Sequence, residues 1–224
     1  MTKTAPTAPP VRPQIDDRAD TFFLWIQSHI RQVAIAGVVV VAMGLGVWLW
    51  RQSRVARERN ASIDLLNAAQ TIQSGNLALA QSDLERLVTR YEGTNAAAQA
   101  AFELASIYYG QGQYDRGIAL LEKLAESSDD PLVKAMAENG AGSGYEGAGK
   151  FADAAGHYRR AAGLTRLEDE RDSYLANAAR AYQAAGNKAE AVAIWQQLID
   201  SEGTQAAEAR VRLGELTAEP AKQG

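Results

Sequence analysis

One short stretch of the sequence has the glycine spacing of a loop that binds a dinucleotide. Gly142, Gly144 and Gly147 follow the pattern G-x-G-x-x-G, in which backbone amides at the start of a helix meet a pyrophosphate. That chemistry requires a buried strand directly before the glycines and a helix directly after them. Here the glycines fall inside an alanine-rich segment whose composition favours helix. We therefore interpret them as small residues at a close contact between helices.

A second group has residue types that are used in acid–base catalysis. His157 lies close in sequence to Asp153 and Tyr158, but no serine or cysteine nucleophile is placed with them. We therefore expect His157 to lie exposed on a helix face. The chain has no cysteine and only two histidines, which leaves almost no material for a zinc or iron site. The acidic run 168–170 fits a helix start, and it lacks the glycine and spacing of an EF-hand. The sequence predicts no enzyme, no metal and no cofactor.

A repeat sets the elements on which any site must lie. Gly75, Gly112, Gly149 and Gly186 are each 37 residues apart, and a fixed period in this range is typical of a solenoid. Seven residues before each glycine stands a small residue, and four before it a tyrosine, except for Thr71 in the first repeat. Five residues after it stands another small residue, and nine after it a large one. The glycines therefore mark turns between paired helices, because glycine ends a helix and permits a tight reversal.

This pattern resembles the tetratricopeptide repeat, with a unit of 37 residues here instead of the usual 34. The resemblance implies an all-α fold, a solenoid of four helical hairpins over 61–217 with a C-terminal capping helix and a degenerate first repeat. The predicted helices are 61–74, 77–90, 95–111, 114–127, 131–147, 151–163, 168–185, 188–200 and 205–217.

The resemblance also implies a binding groove, because the first helix of each pair lines the inner face of such solenoids. In this register the candidate groove residues are Gln99, Phe102, Ser106, Tyr109, Asn139, Ser143, Glu146, Arg180 and Gln183. Mixed polar and aromatic side chains suit an extended peptide; an ordinary solvated helix face is the alternative for any one of them. The Lys/Asn set that clamps a C-terminal carboxylate in chaperone-binding members is not met, since Asn177 alone fits it.

The N-terminal part of the chain predicts a membrane anchor. Val33 to Trp50 contains 18 residues without a charge, and as a helix it would span roughly 27 Å. A signal peptide fits poorly, because Arg51 begins a basic segment where a small-residue cleavage site would be needed. We predict a disordered tail at 1–20, an amphipathic membrane-surface segment at 21–32, a single transmembrane helix at 33–50, a basic juxtamembrane linker at 51–60 and a disordered tail at 218–224.

The charge distribution bears on partners and on orientation. Residues 60–224 carry 15 Lys and Arg against 23 Asp and Glu, a net charge of −8, so we expect no nucleic-acid binding. Two arginines precede the apolar segment within about 20 residues, and four follow it at Arg51, Arg54, Arg57 and Arg59. By the positive-inside rule alone, the repeat domain would face the cytoplasm.

The order of segments is more specific than the repeat. A short tail, a Phe-Phe-x-Trp-Ile segment at 22–26, one span ending in Trp-x-Trp-Arg at 48–51 and alanine-rich helical pairs together resemble the YfgM-like ancillary subunit of the SecYEG translocon. That resemblance implies an inner-membrane protein with a periplasmic repeat domain. Its partners would be translocon subunits and periplasmic chaperones or client chains, and its role would be to hand on secreted clients. Two alternatives stay open: a scaffold for envelope assembly or cell division, and an accessory subunit of an envelope enzyme complex.

Overall fold

The computed structural model describes residues 30–218, together with Phe22, Trp25, Gln27 and His29. The predicted tail at 1–20, most of the predicted segment at 21–32 and all but the first residue of the tail at 218–224 lie outside the described residues. Over 30–218 the chain forms only helices and turns, without a strand. The helices are α1 Ile30–Gln73, α2 Leu77–Arg90, α3 Asn95–Gly110, α4 Tyr114–Ser127, α5 Pro131–Gly147, α6 Phe151–Leu164, α7 Glu168–Ala184, α8 Lys188–Asp200 and α9 Ala206–Thr217.

The limits of α2 to α9 agree with the predicted ones to within one residue. Local chemistry sets these limits. Each of the four turn glycines has a positive φ of 72–80°, which L side chains adopt only with strain. Thr94 begins α3 by accepting a hydrogen bond from Ala97 N, and such an N-cap satisfies an otherwise unpaired amide.

The prediction for the start of the first helix was wrong. We expected a linker at 51–60 and a helix from residue 61, but α1 runs without a break from Ile30 to Gln73 over 44 residues. The physical reason is that residues 47–74 contain neither glycine nor proline and are rich in Arg, Ala, Gln and Leu, all of which favour helix.

The chain divides into two compact units, 1–55 and 56–224. In the first unit, the large apolar side chains described between Ile35 and Trp50 are about half exposed or more. Arg54 stacks over the Trp50 ring at 4.2 Å. Among the described residues, no helix has a stretch long and apolar enough to cross a membrane. The side chains of Val33 and Ala36, inside the predicted span 33–50, lie outside the described residues.

The second unit is built from helical hairpins whose contacts follow the repeat. The small residues seven before and five after each turn glycine are buried, which lets neighbouring helices approach closely. The large residues nine after each glycine are almost fully buried: Leu84, Leu121, Tyr158 and Trp195. Burying one such side chain contributes about 1.5–3 kcal/mol, so this column is a main source of stability in every repeat.

The tyrosine column connects each repeat to the one before it. Tyr108 OH donates to Glu85 Oε1 at 2.6 Å, and Tyr145 OH donates to Glu122 Oε1 at 2.9 Å. In both pairs the acceptor lies 23 residues earlier, on the second helix of the preceding hairpin. These hydrogen bonds fix the register between consecutive hairpins and therefore position the faces on which a partner could bind.

Candidate functional site

The nine predicted groove residues lie on α3, α5 and α7, the first helices of three successive hairpins. The structure brings several of them together through hydrogen bonds and gives others a packing role. Four of those on α5 and α7, together with Asn177, lie in two hydrogen-bonded groups, which together we call the α5–α7 polar cluster: Asn139, Ser143, Glu146, Asn177 and Arg180.

Two amides and one guanidinium form the first half of this cluster. Asn177 Nδ2 on α7 donates to Asn139 Oδ1 on α5 at 3.2 Å. Arg180 Nη2 donates to Asn177 Oδ1, and Arg180 Nη1 donates to Glu208 Oε1 on α9 at 2.7 Å. These contacts therefore reach from α5 across α7 to α9, with amide and charged groups that can also bind the backbone of an extended peptide.

A buried tyrosine connects the second half. Tyr158 OH on α6 donates to Glu146 Oε2 at 2.8 Å and lies 3.3 Å from Ser143 Oγ. Burial raises the pKa of Tyr158, and the acceptor Glu146 raises it further. The tyrosine therefore stays a neutral donor and holds the exposed Glu146 and Ser143 in place.

On α3, two of the predicted residues are mainly packing residues. Tyr109 OH donates to the Gly140 carbonyl oxygen at 3.1 Å, and burial raises the pKa of this tyrosine. Phe102 packs against the buried cluster that includes Leu121. Both residues hold α3, α4 and α5 together, so their contacts are with the protein itself.

The other predicted residues remain accessible. Gln99 is exposed, and its Nε2 donates to Glu103 Oε1 at 3.5 Å. Ser106 is exposed and Gln183 is half-buried on α7. No hydrogen bond between described residues brings Gln99, Ser106 or Gln183 into the α5–α7 polar cluster.

The expectation for His157 was wrong. The residue is only 7% exposed, and its ring stacks on Tyr145 with the ring centroids 4.7 Å apart. His157 Nδ1 lies 2.8 Å from Glu138 Oε2, and Nε2 lies 3.3 Å from Glu122 Oε1. Sequence reasoning missed this arrangement because both carboxylates come from other helices.

The carboxylate pair around His157 is structural. Burial alone would raise the pKa of Glu138, but hydrogen bonds from His157 and Arg160 lower it overall. Asp153 is exposed, and the Tyr158 hydroxyl belongs to the α5–α7 polar cluster. The acid–base group suggested by the spacing is therefore not assembled.

The glycines of the G-x-G-x-x-G pattern lie inside α5, as interpreted from the sequence. A Cβ atom added at Gly142 would lie 2.8 Å from Tyr158 Cε1, and one at Gly144 would lie 2.7 Å from Ile118 Cγ1. These glycines therefore make room for side chains of neighbouring helices. Within residues 30–218, no group of three His, Cys, Asp or Glu side chains is arranged to hold a metal ion.

Sequence reasoning also missed a groove in the first repeat. It has a volume of about 580 Å³ and lies between the end of α1, the start of α2 and one face of α3. We call it the first-repeat groove; its lining includes Ala69, Ile72, Leu77, Glu103, Ser106 and Ile107. The spacing 103, 106, 107 marks one face of α3, but nothing in the sequence shows that this face is left open.

Tandem helical hairpins stacked in register define an α-helical repeat protein, a class of fold that commonly serves as an interaction scaffold. The chain belongs to the tetratricopeptide repeat-like domain family. The family model matches residues 24–140 and again 58–176, and a tetratricopeptide repeat model matches residues 177–202. No curated protein matches the chain.

Several solved structures share the fold. The nearly identical TPR-like repeats of a putative kinesin light chain from Podosopora anserina are 21% identical, with 71% of this chain and 86% of that chain covered and a TM-score of 0.56. A form of those repeats with one substitution is 20% identical, with 71% and 85% covered and a TM-score of 0.56. BtubC (BKLC) from P. vanneervenii is 18% identical, with 73% and 68% covered and a TM-score of 0.54. Identities this low show a common fold and nothing more.

Proposed function

We propose that this protein is a membrane-anchored scaffold for protein–protein contacts, which associates with the protein translocation machinery and helps to hand secreted clients to periplasmic chaperones. The observation that carries the scaffold role is the α5–α7 polar cluster on a tetratricopeptide-type fold. Its amide, hydroxyl and charged groups are fixed by hydrogen bonds, and such prearranged groups reduce the entropy lost when a peptide binds.

Two observations support the anchor and its location. Residues 33–50 carry no charge, and Trp48 and Trp50 are exposed at the end of this stretch, next to Arg51 and the stacked Arg54. Aromatic and basic residues in this order are typical of a membrane interface. The resemblance to the YfgM-like subunit favours a periplasmic repeat domain over a cytoplasmic one.

Mechanistically, the anchor would confine the repeat domain to the membrane surface. Contacts that are individually weak then gain from a raised local concentration, without any new interaction. Such a scaffold would capture a client chain as it leaves the membrane and release it to a chaperone that binds it more tightly.

Site-specific crosslinking in membranes tests this function. A photo-crosslinking amino acid is placed at Ser143, which is exposed in the α5–α7 polar cluster, and the matched control carries it at the exposed Glu126 on α4. We expect translocon subunits or periplasmic chaperones to be crosslinked from position 143 and not from position 126. Recovery of only division or envelope-assembly factors would exclude the translocation role, and equal crosslinking from both positions would exclude this face.

Anchoring and orientation have separate tests. A protein held by the 33–50 segment stays with the membrane in alkaline carbonate, whereas one that is only adsorbed is released. Protease added to intact spheroplasts degrades a periplasmic repeat domain. Survival of the domain under those conditions would establish the cytoplasmic-facing alternative.

A further inference from the structure

The first-repeat groove differs from the corresponding place in the next repeat. Moving its lining residues forward by one period of 37 turns Ile72 into Tyr109 and Leu77 into Tyr114. In the second repeat these two tyrosines stack with centroids 6.0 Å apart and fill the space beside α5. The first repeat has two smaller side chains there, so the same interface stays open as a groove.

The opposite wall differs as well. Tyr109 faces two glycines of α5: its hydroxyl donates to the Gly140 carbonyl oxygen, and a Cβ atom at Gly144 would lie 2.6 Å from its Cζ. One period earlier, α3 instead presents Glu103 and Ile107 to the groove. The groove therefore combines aliphatic walls, including Leu77 at 47% exposure, with one carboxylate.

That carboxylate lacks a full set of partners. Glu103 Oε2 is buried, and no donor among the described residues is within hydrogen-bond distance of it. Glu103 Oε1 accepts only a long hydrogen bond from Gln99, and no described cation forms an ion pair with Glu103. Half-buried carboxylates elsewhere in the domain do face a cation, as Glu138 faces Arg160 at 3.0 Å and Glu208 faces Arg180 at 2.7 Å. Buried polar atoms in proteins are normally paired, so this oxygen can accept a hydrogen bond from a donor outside the described residues.

We propose that the first-repeat groove binds a peptide segment of a partner protein in which one lysine or arginine lies beside aliphatic side chains. The cation pairs with Glu103, and the aliphatic side chains pack on Ile72, Leu77 and Ile107. The last side-chain torsion of a glutamate is soft, so a small rotation presents either oxygen to the ligand. This inference rests on the proposed scaffold function and names a partner chemistry for it.

The charge of the repeat domain favours a basic peptide in the groove over nucleic acid, a second copy of the domain or a lipid chain. The −8 charge of residues 60–224 attracts a basic segment and repels both nucleic acid and a second copy of the domain. A lipid chain would fill the aliphatic walls but leave the carboxylate unpaired. A basic, partly aliphatic peptide satisfies both parts of the groove.

The test uses the full chain in detergent and two fluorescein-labelled peptides, Gly-Leu-Leu-Lys-Leu-Gly and its twin with Glu in place of Lys. Fluorescence anisotropy is followed to about 1 mM, the range expected for one short segment. We expect only the lysine peptide to bind, and Glu103→Gln to weaken it about tenfold. The charge reversal Glu103→Lys should transfer binding to the glutamate peptide, which a purely structural role of Glu103 would not do.

Matched variants control for unfolding. Glu126→Gln removes a carboxylate from an exposed position outside the groove. Leu77→Ala should weaken the binding of the lysine peptide several-fold. Its control is Leu132→Ala, which shortens a leucine of similar exposure, 45%, outside the groove and should leave the affinity unchanged. Leu77→Tyr imitates Tyr114 and should close the groove, because Gly110 stands where Gly147 receives that ring. Circular dichroism verifies that each variant is folded.

The proposal is overturned if neither peptide binds, if both bind equally, or if Glu103→Gln leaves the affinity of the lysine peptide unchanged. Crosslinking from Ser143 separates this outcome from failure of the scaffold function. If the Glu103→Gln variant keeps its Ser143 adducts while the peptides fail, the scaffold role stands and only the groove assignment is wrong.

Discussion

A single methyl group added at Gly144 tests whether close packing or helix propensity decides the stability of α5. By propensity alone, Gly144→Ala stabilises the helix by about 1 kcal/mol, because alanine has a smaller entropic cost than glycine. The structure predicts the opposite sign. The new Cβ atom would lie 2.6 Å from Tyr109 Cζ and 2.7 Å from Ile118 Cγ1, closer than van der Waals contact allows.

The magnitude follows from what must move. Ile118 is only 4% exposed, and Tyr109 also lies directly against Gly117. Overpacking of this kind costs about 1–3 kcal/mol. Moving the Tyr109 ring also weakens its hydrogen bond to the Gly140 carbonyl, which is worth about 1 kcal/mol. After the propensity gain, we expect a net destabilisation of about 1–3 kcal/mol.

Urea unfolding of the full chain, followed by far-UV circular dichroism, measures this change. With a slope of about 2 kcal/mol per M, the midpoint should fall by about 0.5–1.5 M. The control is Gly214→Ala in α9, where nothing lies within 4 Å of the added atom and the midpoint should rise. A midpoint that rises equally in both variants would refute the packing argument.

Three further predictions concern the side chains that join the hairpins. Tyr145→Phe removes the donor to Glu122 and should lower the free energy of unfolding by about 1 kcal/mol in urea; an unchanged midpoint would show that this hydrogen bond adds nothing. Burial, and then the hydrogen bond to Glu85, raises the pKa of Tyr108 to about 12, so its stabilising contribution is complete below about pH 10 and is lost as the pH rises toward 12. Tyr109 and Tyr158 also titrate late, so alkaline absorbance titration should show one fewer late tyrosine in Tyr108→Phe, and an unchanged number would contradict the assignment. His157→Ala leaves two carboxylates without their shared partner and should cost about 2 kcal/mol in thermal unfolding, discounted for partial exposure; a smaller loss than for an alanine substitution at His29, which is half-buried and lies outside the repeat domain, would contradict the buried arrangement.

The helix limits were predictable because their causes are local. Asp130 accepts a hydrogen bond from Leu132 N at 2.9 Å, and Pro131 occupies the first turn of α5; both signals stand side by side in the sequence. The boundary between the two units has no such local signal. It falls inside α1, where residues 47–74 contain neither glycine nor proline. The change in composition from apolar to basic residues was interpreted as the end of one helix, but α1 continues through it.

The candidate site was predictable only as a set of faces. The register placed Asn139, Ser143, Glu146 and Arg180 on first helices, but which of them meet depends on how successive hairpins rotate against each other. Asn177 and Asn139 are 38 residues apart, and their contact follows from tertiary packing. The burial of His157 has the same origin, because Glu122 and Glu138 lie on α4 and α5.

Departures from the repeat explain where this fold can acquire function. In the tyrosine column, Tyr108 and Tyr145 donate to a glutamate, but one period later the equivalent of Glu122 is Arg159, which donates to Tyr182 OH at 3.4 Å. The geometry is kept while the direction of the hydrogen bond is reversed, so the contact tolerates a change of charge on the surface. In the first repeat, Thr71 stands in the tyrosine column and its hydroxyl donates to Asn67 O on its own helix; among the described residues no hairpin precedes this repeat to which it could be joined.

The interface between the first and second repeats lacks the two tyrosines that close the next interface, and its opposite wall, on α3, presents Glu103 where α5 has Gly140 in the next interface. The missing tyrosines and the additional buried charge both destabilise the interface between these two repeats if it has no other role. Because the two changes lie on facing walls of one groove, a ligand that supplies a cation and aliphatic groups compensates for both. These departures from the repeat pattern therefore favour a binding role for the first-repeat groove over a simple loss of the pattern at the end of the solenoid.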